Sequence, residues 1–389
     1  MKKSTQCVHS GTYFDEKTGG VNTPIYTSTA YVYESEGKIP YPRYFNTLNQ
    51  EVVAKKIAAL ENGEAGLIFS SGMAATMSAL LGVLKAGDHL ILQNDIYGGT
   101  HYAVSQQLSQ LGIESTFVEG RKAEDFKKAI QPNSKAIFIE TPSNPLLLLV
   151  DIEEMANFAK ENNLISFIDN TFGTPIFQNP ITLGIDVVIH SGTKYLAGHS
   201  DLSCGAVVTS EKLMEKIHHV AFNFGGNLDA MATSLLERSI KTLALRVKTQ
   251  AQNAQKIAEA LQKLPQVKNV FYPSLPNHPD HEIAKKQMHG GFGAMLSFEL
   301  DTDKEGRTQF VRHLNLICKA VSLGGVETTM TEPIFTSHAK VPQEMREKMG
   351  ITENLYRLSV GIEDAQDLID DLTNALQKIE VQQKSGVIV

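Results

Sequence analysis

Six short apolar runs, each followed by a stretch with helical spacing, constrain this chain more than any other feature. They are Gly66 to Phe69, His89 to Gln93, Ser115 to Val118, Ala136 to Glu140, Ser166 to Ile168 and Asp186 to Ile189. Runs of this length bounded by turn residues read as buried strands, and the segments between them are long enough for crossover helices. Such alternation builds an α/β fold around a mostly parallel sheet. After about Leu235 the pattern changes to a long helical stretch, strands at Ala294 to Leu300 and Tyr356 to Val360, and an amphipathic helix through Leu368, Leu372 and Leu376. That part reads as a smaller α+β domain. Residues 1–46 carry many Thr, Tyr, Pro and Gly and end in Tyr41-Pro42-Arg43-Tyr44-Phe45-Asn46, which reads as an extended arm, ahead of helical spacing from Val52 to Leu60. The expected division is an arm over 1–46, a large domain over 47–235 and a C-terminal domain over 236–389.

A formal charge of -7 offers no general attraction to nucleic acid or to an anionic membrane, so an anionic ligand needs a local site. No apolar run approaches the roughly 18 residues of a membrane span, and the opening Met1-Lys2-Lys3 has no apolar stretch behind it. A cytosolic protein is expected. Cys7, Cys204 and Cys318 are odd in number and widely spaced, which supports neither a disulfide framework nor a zinc site. Cys204 reads first as a small buried residue.

Three segments carry chemistry. In Phe69-Ser70-Ser71-Gly72-Met73-Ala74-Ala75 an apolar strand breaks into small residues and resumes as a helix, leaving free backbone N–H groups that suit a phosphate. Phe167-Ile168-Asp169-Asn170 puts a carboxylate at the end of an apolar strand, where ligands sit in open α/β sheets, although a cap or turn role is equally compatible. Val187-Val188-Ile189-His190-Ser191-Gly192-Thr193-Lys194 delivers two hydroxyls and then a lysine, and a confined lysine with a lowered pKa is a nucleophile. Each segment alone has an ordinary structural explanation. Together they describe a phosphate cradle, a carboxylate for a ring nitrogen and an amine for an aldehyde, which is the set pyridoxal 5'-phosphate needs. Tyr97, in Ile96-Tyr97-Gly98-Gly99-Thr100 after another strand, reads by itself as a core or surface tyrosine, and beside the other motifs its ring could lie over the pyridine face.

With these segments the chain resembles the trans-sulfuration (Cys/Met metabolism) family of pyridoxal-phosphate enzymes over nearly its whole length. Further markers are Glu140-Thr141-Pro142-Ser143-Asn144-Pro145, Ser322-Leu323-Gly324-Gly325 and Arg357-Leu358-Ser359-Val360-Gly361. The resemblance implies fold type I of the pyridoxal-phosphate-dependent transferases, the aspartate-aminotransferase-like architecture. It implies a Schiff base on Lys194, with the freed amine as the mobile base and Tyr97 as general acid or electrostatic partner. It assigns the Gly72 and Met73 amides with Ser191 and Thr193 to the phosphate, Asp169 to the pyridine nitrogen and Asn144 to the phenolic oxygen. Arg357 would take the substrate α-carboxylate with Ser322 and Asn144 beside it. Finally it implies a homotetramer of two dimers in which Tyr41 and Arg43 bind the neighbouring subunit's cofactor phosphate.

Substrate preference is divided. Family members that act on cystathionine by γ-chemistry typically carry acids where this chain has Val321 and Pro40, which favours a smaller or less charged substrate. Methionine γ-lyases usually have a cysteine where this chain has Gly99, which agrees instead with the cystathionine enzymes. Asn46-Thr47-Leu48 departs from the common Asn-Pro-Thr of the arm. Glu332 offers a replacement acid or, as the first reading, a solvated loop residue. The leading expectation is a carbon-sulfur lyase releasing a thiol, ammonia and 2-oxobutanoate from cystathionine, homocysteine or methionine. The alternatives are cystathionine γ-synthase, an O-acetylhomoserine sulfhydrylase or a cystathionine β-lyase. A non-catalytic cofactor-binding protein is the reading from another class, opposed by the joint presence of Lys194, Asp169, Tyr97 and Arg357.

Overall fold

The structure, a computed structural model, describes residues 1–33, 37, 39–337, 339 and 343–379. Its first sheet contains β1 (Ala65–Phe69), β2 (His89–Gln93), β3 (Glu114–Val118), β4 (Ser134–Glu140), β5 (Ile165–Asp169), β6 (Val187–His190) and β7 (Gly205–Thr209). The spatial order is β1-β7-β6-β5-β4-β2-β3. Strands β2 to β6 run parallel, and β7 lies antiparallel between β1 and β6. The six expected runs are all strands, with ends shifted by a residue or two. β7 was not expected: it is buried throughout, but it follows β6 through turns rather than a crossover helix and so falls outside the strand-helix alternation that marks the other six.

Alternation along each strand sends side chains to two cores. Ala136 and Phe138 join Phe69 and Val187 under the helices Gly72–Val83 and Glu211–Phe224, while Ile137 and Ile139 pack on the other face with Met155 of the helix Ile152–Glu161. Helices on both faces leave the carboxyl ends of β4, β5 and β6 as a shared edge, with Glu140 in register with Asp169 and Asp169 with Ile189.

The second sheet contains β8 (Val267–Phe271), β9 (Met295–Leu300), β10 (Cys318–Lys319), β11 (Thr329–Thr331) and β12 (Leu355–Ser359), in the order β10-β11-β12-β9-β8. Phe298 and Tyr356 pack there against Leu368 and Leu372 of the helix Ala365–Leu376. The expected division after 235 falls inside the helix Ala230–Lys241. Next comes the helix Leu243–Leu261, whose first half packs with the core under β1 and β7 and whose second half packs with the core of the second sheet.

The N-terminal arm holds one helix that its sequence pattern did not signal, Lys3–His9, because seven residues are too few to show a period. It is anchored from outside: Cys7 is buried, and Lys56 Nζ donates to the carbonyls of Cys7 and Val8 at 3.3 and 3.2 Å. At the departure Asn46-Thr47-Leu48, Thr47 starts the helix Leu48–Glu61, and its N–H donates to Gln50 Oε1 at 3.2 Å. No helix among the described residues is long and apolar enough to cross a membrane, and none of their His, Cys, Asp and Glu side chains cluster to hold a metal.

Candidate active site

A cavity of about 450 Å³ opens at the carboxyl ends of β4, β5 and β6 and is closed on its far side by Ser322 and by Arg357 of β12. One wall is the start of the helix Gly72–Val83. Ser71 caps it, its Oγ accepting the Ala74 N–H at 3.1 Å, while the Gly72 and Met73 N–H groups belong to the first turn and have no helical acceptor. Gly72 is required by close approach: a Cβ there would lie 2.9 Å from Ser191 Cα, Cβ and Oγ. Ser191 is fixed by its N–H donating to Thr171 Oγ1 at 2.8 Å. Thr193 lies on the same wall with its hydroxyl engaged by Cys204, donating to its carbonyl at 3.1 Å and accepting its N–H at 3.0 Å. Cys204 itself is fully buried, burial pushes its thiol up to about 12, and it acts as a packing residue.

Two carboxyls end adjacent strands at the cavity floor. Asp169 Oδ1 accepts the Thr171 N–H at 2.9 Å, and Glu140 Oε2 accepts the Tyr97 N–H at 2.7 Å. Burial raises both carboxyls, Glu140 well above the carboxylate range with Asp169 adding to the rise. Asp169 is pulled back by its bonds to Thr171 and by the proximity of His190 and Lys194. Behind it, His190 Nε2 meets Glu61 Oε1 at 2.6 Å, and Asn170 Nδ2 donates to the same oxygen at 2.8 Å. Glu140, His190 and Glu61 were missed as site residues. The available signal for Glu140 was an acid closing an apolar strand at the same edge as Asp169; nothing local marks Glu61, which is 129 positions from His190.

Lys194 Nζ donates to Ser322 Oγ at 2.8 Å. Burial lowers its pKa, the Arg357 charge lowers it further, and Asp169 acts in the opposite sense. Ser322 holds a left-handed backbone at φ 74, a conformation that persists in a non-glycine residue only when its surroundings enforce it. Arg357 is buried and donates from Nη1 to Asn144 Oδ1 at 2.9 Å and from Nη2 to the Ser322 carbonyl at 3.2 Å, while its Nε has no partner. Burial lowers its pKa to about 10, so it stays charged at neutral pH. Across the strand pair from Arg357 lies Thr331, on the cavity wall with a buried, unpartnered Oγ1.

Tyr97 lines the cavity half-exposed, and a Cβ on Gly99 would come within 2.4 Å of its ring. Ten of the expected residues therefore meet in one cavity. Tyr41 and Arg43 do not: Arg43 Nη1 donates to the Phe222 carbonyl at 2.8 Å, and its guanidinium lies between 5.2 and 5.6 Å from the rings of Tyr41, Tyr44 and Phe222. The solvated-loop reading of Glu332 is corrected. It is buried and ion-paired with Lys319 Nζ at 2.5 Å, because β11 turns it toward the neighbouring β10.

A family model described as Cys/Met metabolism PLP-dependent enzyme matches residues 4–377. The chain belongs to that family. It is an enzyme, and pyridoxal 5'-phosphate is its cofactor. The chain is 47% identical over 382 residues to the cystathionine gamma-lyase of Bacillus subtilis, covering 97% of this chain and all of that one. It is 44% identical over 377 residues to the cystathionine beta-lyase of Lactococcus lactis subsp. cremoris, covering 96% of this chain and 98% of that one. Among solved structures, cystathionine gamma-lyase from Lactobacillus plantarum complexed with L-serine superimposes with a TM-score of 0.93 at 40% identity, covering 97% of this chain and 99% of that one. The fold is thus that of the pyridoxal-phosphate lyases. The residues present suit the cofactor: a first helical turn with free N–H groups, a buried acid at a strand end and an amine, all lining one cavity.

Proposed function

We propose that this enzyme is a carbon-sulfur lyase that catalyses α,γ-elimination on a small sulfur amino acid, cystathionine, homocysteine or methionine, releasing a thiol, ammonia and 2-oxobutanoate. The observation that carries the reading is the shared cavity of Lys194, Ser322, Asp169 and Arg357 in a chain matched over 97% of its length by a cystathionine gamma-lyase. When bound, pyridoxal phosphate supplies an electron sink for charge developing at the substrate Cα. The chain's own residues do the rest. The Gly72 and Met73 N–H groups, with Ser191 and Thr193, would hold the phosphate, and Asp169 would hold a proton at the pyridine nitrogen. Asn144 contacts the phenolic oxygen, and Arg357 orients the α-carboxylate by charge-assisted hydrogen bonds. Lys194 Nζ would remove the Cα proton, and Ser322 Oγ, 2.8 Å away, gives that amine a hydrogen-bond partner that restrains it. Tyr97, half-exposed on the cavity wall, would cover the cofactor ring and assist departure of the sulfur.

Among the described residues the outer wall, built from Val321, Thr331, Thr336 and Ser337, carries no charge, and the acids Glu140 and Asp169 lie deep in the cavity. Within the three substrates this favours homocysteine and methionine over cystathionine, whose distal end carries an ammonium and a carboxylate. The close fit of the Tyr97 ring over Gly99 works against a cysteine at that position without a shift of the ring. Because Tyr41 and Arg43 lie outside the cavity of their own chain, we assign them to the phosphate site of a second copy, within a homotetramer of two dimers. The three free cysteines fit a reducing cytosol.

Keto-acid analysis of the cofactor-loaded protein with L-cystathionine, L-homocysteine and L-methionine tests the reading. Release of 2-oxobutanoate is the expected result. Pyruvate from cystathionine would establish β-elimination, the second reading, which the Lactococcus relative favours. No keto acid from any of the three would transfer the assignment to γ-replacement.

A further inference from the structure

The helix Leu243–Leu261 belongs to both cores of the molecule. Between its apolar residues stand Arg246, Gln250 and Asn253, at i, i+4 and i+7 on one face, and all three are buried. Arg246 and Gln250 donate to backbone carbonyls one to three positions after a site residue, and Asn253 to carbonyls four and six positions after Arg357. Arg246 reaches the Tyr195 carbonyl from Nη1 at 2.9 Å and the Leu196 carbonyl from Nη2 at 3.4 Å, the two positions after Lys194. Gln250 Nε2 reaches the Gly325 carbonyl at 2.7 Å, three positions after Ser322, and the Val360 carbonyl at 3.1 Å, three after Arg357. Asn253 Nδ2 reaches the Gly361 and Glu363 carbonyls at 3.2 and 2.7 Å. The remaining Arg246 bonds run to the Ser239 carbonyl and Thr242 Oγ1.

A buried guanidinium satisfied only by neutral acceptors is costly compared with an apolar residue of similar size. Leucine or methionine would fill the space between two cores. They would not tie the Lys194 loop, the Ser322 loop and the strand end of Arg357 to one rigid rod.

We propose that Arg246, Gln250 and Asn253 are positioning residues: one helix face sets the separation between the amine of Lys194 and the carboxylate site at Arg357 and Ser322. The inference rests on the roles given above to those three residues. It explains how Ser322 keeps its left-handed backbone, since the loop is held at both ends, by Lys194 through its hydroxyl and by Gln250 through Gly325.

The test uses the full-length, cofactor-loaded enzyme with Arg246→Lys and Gln250→Met. Neither residue lines the cavity. Displacing a reacting group by an ångström costs about 10- to 100-fold in rate, so a fall of about tenfold or more in kcat per cofactor-loaded site is expected for Arg246→Lys, with KM changed much less. Gln250→Met acts on the carboxylate side and raises KM as well. In the cofactor-free chain both variants should speed hydrogen exchange over 192–198 and 322–326 without changing it in β2 to β5. Unchanged kcat, KM and local exchange, with only a lower melting temperature, would overturn the proposal by reducing the clamp to fold support. A wild-type enzyme with no turnover would instead overturn the functional reading, and the exchange comparison would still decide the clamp.

Discussion

Replacing Arg357 by lysine separates charge from geometry in the carboxylate site. The guanidinium is buried, held at 2.9 Å from Asn144 Oδ1 and 3.2 Å from the Ser322 carbonyl, with Nε free. A lysine keeps the positive charge but offers a single compact ammonium on a flexible stem, so one directed, charge-assisted hydrogen bond to the substrate carboxylate is lost. Hydrogen bonds to charged groups contribute about 1.5 to 3 kcal/mol each. At about 1.4 kcal/mol per factor of ten, Arg357→Lys should lower kcat/KM about 10- to 150-fold. The loss should fall mainly on KM, because the carboxylate is bound in ground and transition states alike. Keto-acid release measured across substrate concentration at neutral pH reads both constants, and a melting curve checks that the fold survives. If kcat/KM stays within about threefold of wild type in a folded variant, the assignment of Arg357 to the α-carboxylate is wrong. A large fall confined to kcat would place Arg357 at the reacting atoms instead.

Other outcomes follow from the same geometry. Lys194→Ala should abolish turnover and the absorbance of the lysine-bound cofactor near about 420 nm; residual activity with that band intact would remove Lys194 from its central role. Arg43→Ala and Lys194→Ala should each be inactive or nearly so, and mixed subunits should recover part of the activity, because one site of each hybrid dimer is then complete. Mixed samples with no recovery would refute a shared site. Burial raises the Glu140 carboxyl above its ordinary 4.5, so folding takes up a proton above that pH and the group's contribution to stability falls as pH rises through the window. Glu140→Gln keeps an acceptor for the Tyr97 N–H and removes the cost. The cofactor-free variant should melt above wild type at neutral pH, with the gap closing toward pH 4.5, and a variant melting lower at neutral pH would show that the carboxylate is stabilised there.

Much of this protein is written locally. The short apolar runs and the turn residues that bound them determined six of the seven strands of the large sheet, because run length and its boundaries need only neighbouring positions. Lys194, Asp169 and the Ser71-Gly72-Met73 turn stand out as strand and helix ends in the sequence itself, and the ordered markers around them carried the family. What the chain could not disclose from local pattern is everything that depends on strand order and long-range packing. The pairing of Glu140 with Asp169 exists because β4 and β5 are neighbours. The Glu61–His190 contact joins residues 129 positions apart, and the bond from Gln250 to Val360 spans 110. Glu332, a plain loop glutamate in sequence, is buried because β11 pairs with β10. Local periodicity specifies which face a residue takes. Which residues then meet across that face is decided only when the two cores close on the helix between them.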